Sequence, residues 1–382
     1  MREFILLLTV AAAGALTSCA AHSSAPKGVA HPMGNTHWYL GAFPHHVTVV
    51  DLNKDGWPDL VIPNAGDERV TVLLGDGRGG ILSNHHYPTG IGPSWSDAAD
   101  FDGDGNLDLV VANTGASSLT LYYGDGRGGV GRRLDLEGLT PVSSLVATDL
   151  NRDGRPDLAL AEPRHARIRV LLNRNGRDFD TAKDVAVAEV PHILDRADMN
   201  GDGWEDLIVG SLSANSLEVM LGTKQGVLQV DAKVPVGRYP HYRAYGDWNE
   251  DGRMDIALAV SGEEAIQVLL SDGKGGWVLG ETYPCGVNPH GVVRGDFNGD
   301  GHLDLAVANR TSRDLLVFLG DGKGRFWHGA PIPTNLDVIA LAQADFNGDG
   351  KADLALISAG TDSLLLWAGR GDGEFDPLPL VH

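Results

Sequence analysis

The chain has 382 residues, 30 of them Lys or Arg against 51 Asp or Glu, for a formal net charge of −21. That balance excludes the basic footprint of a nucleic-acid-binding protein and an electrostatic hold on anionic lipid. The 51 glycines, with no long stretch of apolar residues at helical spacing beyond the N-terminus, point to a turn-rich all-β chain large enough for a sizeable core.

Met1-Arg2-Glu3 is a short charged head, and FILLLTVAAAGAL, residues 4–16, is an apolar run too short for a comfortable membrane span. Residues 1–18 therefore read as a signal peptide. The run ends in LTSC, Leu16 to Cys19, which resembles the lipobox of bacterial lipoproteins, whose cysteine is lipidated and becomes the first mature residue. Ala20, where an Asp would mean retention at the inner membrane, favours the outer membrane in a cell that has one. A cleaved signal peptide with an incidental cysteine is the alternative. Residues 19–36 are small, polar and Pro/Gly-containing, a flexible tether. If Cys19 carries lipid, Cys285 has no intramolecular partner. The exported chain then lacks a disulfide framework, and Cys285 reads as a packed small residue rather than a nucleophile.

From residue 37 onward one pattern recurs. DLNKDGWPDL starts at Asp51, DFDGDGNLDL at Asp100, DLNRDGRPDL at Asp149, DMNGDGWEDL at Asp198, DWNEDGRMDI at Asp247, DFNGDGHLDL at Asp296 and DFNGDGKADL at Asp345, each 49 residues after the last. A fixed period near 50 means a solenoid, a propeller or an array. Within the second period, SDAADF and DLVVAN are short strands, SLTLYYG is a third, DGRGG is a hairpin turn, and a variable outer strand follows. Four antiparallel strands per period make a propeller blade. An open solenoid would need atypical capping units, and here the first and last units look like the others. The chain from 37 to 382 is therefore expected to be one seven-bladed β-propeller. Its last outer strand comes from DPLPLV, from Trp38-Tyr39-Leu40, or from both.

The acidic loop holds Asp at position 1 (Asp51, Asp100, Asp149, Asp198, Asp247, Asp296, Asp345), at position 5 (Asp55, Asp104, Asp153, Asp202, Asp251, Asp300, Asp349) and at position 9 (Asp59, Asp108, Asp157, Asp206, Asp255, Asp304, Asp353). Position 3 is Asn53, Asp102, Asn151, Asn200, Asn249, Asn298 or Asn347. Position 6 is always Gly and position 7 varies freely, as expected when only its backbone carbonyl is used. This is the pattern of an oxygen cage for Ca²⁺. Position 12 is apolar in every copy, so the loop joins two strands and is not an EF-hand. Without cations, each loop would crowd like charges a few Å apart; seven Ca²⁺ would bring −21 to −7. At ~10–100 times its dissociation constant, each ion adds roughly 1.4–2.7 kcal/mol, so calcium takes the place of the missing disulfides. A metal-free Asx-turn is the plainer alternative.

The D-x-[DN]-x-D-G-x-x-D loop between the first two strands of a blade resembles the FG-GAP/VCBS-type repeats of integrin α-subunit propellers and many bacterial surface proteins. The resemblance implies calcium-ligand roles for positions 1, 3, 5 and 9, with all calcium loops on one face and ligands bound at the channel mouth on the other. The Phe-Gly and Gly-Ala-Pro signatures of that family are degenerate here.

The connections leading to that mouth carry a second pattern. Pro-His occurs at 44–45, 191–192, 240–241 and 289–290, and Pro93-Ser94 takes the same place in the second blade. His46, Trp95 and Tyr242 follow directly; Arg196, Tyr245, Arg294 and Gln343 are equivalent positions farther down the inner strand. One reading is a site for a polar or anionic ligand such as a glycan, built from His45, His46, Trp95, His192, His241, Tyr242, His290, Arg196 and Arg294, with Asn64, Asn113 and Asn309 as further donors. The other is that each His merely caps a backbone carbonyl. No HExxH, G-x-S-x-G, CxxC or phosphate loop is present. Arg370-Gly371-Asp372 is in phase with the glycine turns, and Asn309-Arg310-Thr311 is a sequon without meaning in a bacterial exported chain. The sequence thus points to a monomeric, lipid-anchored surface propeller that binds a glycan or an envelope protein. A polysaccharide lyase or hydrolase using channel His or Arg is the alternative.

Overall fold

The computed structural model describes residues 32–33, 37–182, 184–223, 228–273 and 276–378. The leader, Cys19 and most of the tether lie outside the described residues. Seven antiparallel sheets follow one another around a ring, each built from one repeat, the last joined also by Pro32–Met33 and His37–Tyr39 from the start of the chain. Blade 2 has Pro93–Ala99 innermost, then Asp108–Asn113, Ser118–Gly124 and Val130–Leu136 outermost. The second strand is fully buried in every blade, from Asp59–Asn64 to Asp353–Ser358. Each is an unbroken apolar run because blades cover both of its faces. In blade 2, Leu109 and Val111 pack with Val61 and Val72 of blade 1. Val110 and Ala112 pack with Leu158 and Leu160 of blade 3. Successive side chains thus serve opposite neighbours, and the core is a ring of inter-blade layers.

Both candidate segments close the ring. Trp38 and Tyr39 pair with Leu364 and Ser363 on one half of the last blade's third strand, while Phe375–Pro377 pairs with Trp367–Gly369 on the other. Leu40, only 2 % exposed, packs into the layer between blades 7 and 1. Arg370–Asp372 lies in the third-to-fourth-strand turn of blade 7, closed by the Arg370 N–H donating to the Glu374 carbonyl (2.9 Å). Cys285 packs against the layer of blades 5 and 6, and burial pushes its thiol up to about 12.

Candidate functional site

The acidic loops form one chemical layer. In all seven, the position-1 carboxylate accepts the position-6 glycine N–H, as Asp296 does from Gly301 (3.0 Å). The position-5 carboxylate accepts the position-7 N–H in each. Position 9 is fully buried and takes two donors. Asp304 accepts the Phe297 N–H at the loop start and the Gly320 N–H on the third strand, each at 2.8 Å. Its six equivalents repeat this, and burial pushes each of the seven carboxyls up to about 6.

The loop of blade 2 has the oxygen spacing a calcium ion would need. Oxygens of Asp100, Asp102 and Asp108 all lie within 4.8 Å of one another, and two ligands at 2.3–2.6 Å from one Ca²⁺ can be at most about 5 Å apart. Two lone-pair directions remain on Asp108 after its backbone bonds to Phe101 and Gly124. Position 7 turns out to be more than a carbonyl donor, because it meets position 4 of the preceding blade. Lys54 donates to Asn106 Oδ1 (2.8 Å), the Arg152 guanidinium lies over Trp204, and Glu250 meets His302 Nδ1 (2.5 Å). Blades 1, 3 and 5 carry the long position-4 side chain, and blades 2, 4 and 6 have Gly103, Gly201 and Gly299 there.

The histidines converge at the other end of the channel. In blades 1, 2, 4, 5 and 6 the residue before the Pro is left-handed: Phe43, Gly92, Val190, Tyr239 and Asn288, with φ of 53, 63, 57, 56 and 59°. Its carbonyl accepts the N–H of the turn after the second strand, from Ala65, Thr114, Leu212, Ser261 and Arg310 respectively (2.9–3.2 Å). In blades 2, 4, 5 and 6 the ladder then slips by a bulge after the Pro. A bulge re-aims the side chains beside it, so both His241 and Tyr242 reach the channel. Six rings form a continuous chain: His46 on Trp95 (3.8 Å, stacked), Trp95 on Tyr242 (6.0 Å), Tyr242 on His290 (5.4 Å), His290 on His241 (4.7 Å) and His241 on His192 (5.8 Å). His45 stands exposed at the rim.

Carbonyl capping explains two of the four Pro-His imidazoles. His45 Nδ1 donates to Ser94 O (3.1 Å) and His290 Nδ1 to Ile339 O (2.6 Å), one blade onward each time. The Nδ1 atoms of His46, His192 and His241 are buried without a hydrogen-bond partner. His46, His192, His241 and His290 are half-buried and His45 is more open, and surrounding protein displaces water from all five. Desolvation therefore lowers His45, takes His46 and His192 down to about 3 and His241 to about 4, and holds His290 well below the usual range. All five are neutral at pH 7. Among the described residues, no three of their nitrogens come close enough to share an ion.

Three expected ligand contacts are already engaged by the protein. Trp95 is 6 % exposed and is spent on the floor of the mouth, stacked between His46 and Tyr242. Arg196 is a layer deeper, donating to Asp97 Oδ2 (2.5 Å) and Ala147 O (2.6 Å). Arg294, exposed near the loop face, donates to the Tyr245 carbonyl. It is four residues beyond His290 on one strand, about 13 Å away at ~3.3 Å per residue. Between these layers, Arg243 is enclosed by Asp195 (2.8 Å), the Tyr245 hydroxyl (2.5 Å) and two carbonyls. Asn64, Asn113 and Asn309 donate within their own hairpins, to Thr71, Thr120 and Asp314, and do not reach the mouth. A cavity of about 510 Å³ lined by Arg69, His85 and His86 opens on the outer strand of blade 1, where Arg69 pairs with Asn64 and Asn64 bridges Pro44.

Sequence reasoning missed Arg310. It follows Asn309, which pairs with Pro289, and its backbone is tied to Asn288, so it sits beside the Pro289-His290 step. Its positive charge acts on His45, His241 and His290.

A closed ring of seven four-stranded blades, each one copy of an acidic-loop repeat, defines a repeat β-propeller. The FG-GAP-like repeat pattern matches residues 51–111, 100–160, 198–258, 247–307 and 296–356, and the chain belongs to that family. No curated protein matches its sequence. In fold it is similar to a protein from Lactobacillus plantarum (15 % identity, TM-score 0.62, 90 % of this chain and 95 % of that one). It is also similar to BBS1N in complex with ARL6DN (15 %, TM-score 0.61, 89 % and 95 %). A third likeness is catalytically inactive virginiamycin B lyase from Staphylococcus aureus with quinupristin (12 %, TM-score 0.58, 88 % and 97 %).

Proposed function

We propose that this is an exported propeller, lipid-anchored through Cys19 and held together by calcium in its acidic loops, that binds a saccharide at the histidine mouth. The observation that carries the reading is the set of three buried, unpartnered Nδ1 atoms on His46, His192 and His241, above an aromatic floor. Buried polar atoms without partners are rare and costly. The left-handed Phe43, Val190 and Tyr239 that shape the lead-in add strain of a kind that collects at functional sites. A saccharide ring offers hydroxyls to the imidazoles and an apolar face to the rings. In the loops, positions 1, 3, 5 and 9 would hold Ca²⁺, which supplies charge neutralisation and a cross-link between loop and strand.

Binding is favoured over turnover. A general base works best with a pKa near the operating pH, and imidazoles pushed to about 3 or 4 are poor bases at pH 7. Arg196 and Arg243 are already engaged by carboxylates. The test is to titrate the purified protein, in millimolar calcium, against neutral and acidic oligosaccharides, with product analysis of each hit. Retention without turnover, lost in His241→Ala and His290→Ala, is the expected result. New reducing or unsaturated ends would make it an enzyme. No binding by folded, calcium-loaded protein would leave a protein partner as the better reading.

A further inference from the structure

We infer that the saccharide is anionic and that Arg310, at the turn beside Pro289-His290, is the residue that recognises its acidic group. The inference rests on the mouth being a saccharide site. Four observations support it. First, among the described residues no Asp or Glu is a partner of the mouth imidazoles, the nearest carboxylates being held elsewhere, Asp362 by the Phe43 N–H and Asp195 by Arg243. The charges acting on the five imidazoles come from Arg310, from Arg243 and from one another, never from Asp or Glu. That is unusual in a chain of net charge −21.

Second, Arg310 is the one charged residue at its place in the repeat; the equivalents are Ala65, Thr114, Pro163, Leu212, Ser261 and Ala359. The turn therefore needs no cation, and the backbone bond to Asn288 that fixes it is made equally well by Ala65 to Phe43. Third, every other arginine of the channel is occupied. Arg196 pairs with Asp97, Arg243 with Asp195, and Arg294 with a carbonyl. Among the described residues, Arg310 makes only its backbone bond and enters no ion pair, and its side chain is half-buried. A partly desolvated guanidinium favours a bidentate acidic group.

Fourth, the neutral imidazoles complement an anion without competing with Arg310 for it. His45 and His290 give their Nδ1 protons to carbonyls. Their Nε2 atoms are then acceptors for sugar hydroxyls. The acid is left to Arg310, while Tyr242 and His290 offer ring faces beside it.

The test compares trigalacturonate with its methyl-esterified, uncharged twin, and a sulfated galactose trimer with its unsulfated parent. Each is titrated into the calcium-loaded protein and into Arg310→Gln and Arg310→Lys. The acidic member of a pair is expected to bind about 10- to 100-fold more tightly than its neutral twin. Arg310→Gln removes that preference and leaves the neutral twin's affinity and the melting temperature unchanged; Arg310→Lys keeps part of it. Which acidic trimer gains more tells a carboxylate from a sulfate. Equal binding of acidic and neutral twins, lost in His241→Ala, would overturn the inference and leave the saccharide site standing. Acidic preference that survives Arg310→Gln would also overturn it. No binding of any trimer would sink both.

Discussion

Calcium should displace a proton from each acidic loop below pH 6, and the structure sets how many. The seven position-9 aspartates are fully buried. In the metal-free protein, burial raises each from 3.8 to about 6. The folded state then binds more protons than the unfolded one between those values. The contribution of these groups to stability therefore falls as pH rises through that window. Only the ionised carboxylate ligates, so acid competes with the metal. With a pKa near 6, about 0.9 proton per ion should leave at pH 5 and about 0.1 at pH 7, and affinity should fall roughly tenfold per pH unit below 6. The five mouth histidines act in the opposite sense. Lowered by burial, they bind fewer protons folded than unfolded below 6.5, so acid destabilises through them. A stability curve mixes the two effects; a proton count on calcium binding isolates the loops, which lie on the far face. The assay is calorimetric titration of protein stripped on a chelating resin, at both pH values, in two buffers of different ionisation heat. Release below about 0.2 proton per ion at pH 5 would refute the reasoning, because the buried carboxylates would then be ionised already or untouched by the metal.

Other outcomes follow from the same geometry. Blade 2 alone has a carboxylate at position 3, so Asp102→Asn should weaken its calcium site roughly tenfold, read as loss of the tightest phase in a calcium titration. Arg243→Ala strips Asp195 and the Tyr245 hydroxyl of a cation whose side chain is 0 % exposed. It should cost about 3–5 kcal/mol, or roughly 4–7 °C for a ring this size, in a thermal melt. Leu40→Ala, in the layer that closes the ring, should cost about 2–5 kcal/mol, and an unchanged denaturant midpoint would argue that Phe375–Pro377 closes the ring unaided.

The ring was legible because seven acidic loops keep one period, and each buried strand follows its loop at a fixed distance. Ring closure was not, since Trp38–Leu40 and Phe375–Pro377 each look like half an outer strand, and each is one. The clustering of His45, His192, His241 and His290 could be read from equal repeat positions. What each ring does there could not. The bulge after the Pro and the left-handed residue before it decide that both His241 and Tyr242 face inward. Phe43, Val190 and Tyr239 give no sign in sequence of a backbone that usually favours Gly. Trp95 reads as a stacking platform until Tyr242, three blades away, is found against it. Arg310 carries no repeat signal, since its equivalents are Ala65, Thr114, Pro163, Leu212, Ser261 and Ala359.

Departures from the period therefore hold the specific information in this chain. Where all seven copies agree, as at position 9, the residue ties a loop to its strand and says only that a blade exists. Where neighbouring copies differ in a complementary way, as Lys54 with Asn106 and Glu250 with His302 do, the difference orders adjacent blades. One register of a symmetric ring is then preferred over others that the core alone would accept. Where a single copy differs and nothing in the fold uses the difference, the side chain is free for a ligand. Arg310 meets that condition; Trp95 and Arg196 do not, because the floor and Asp97 already use them.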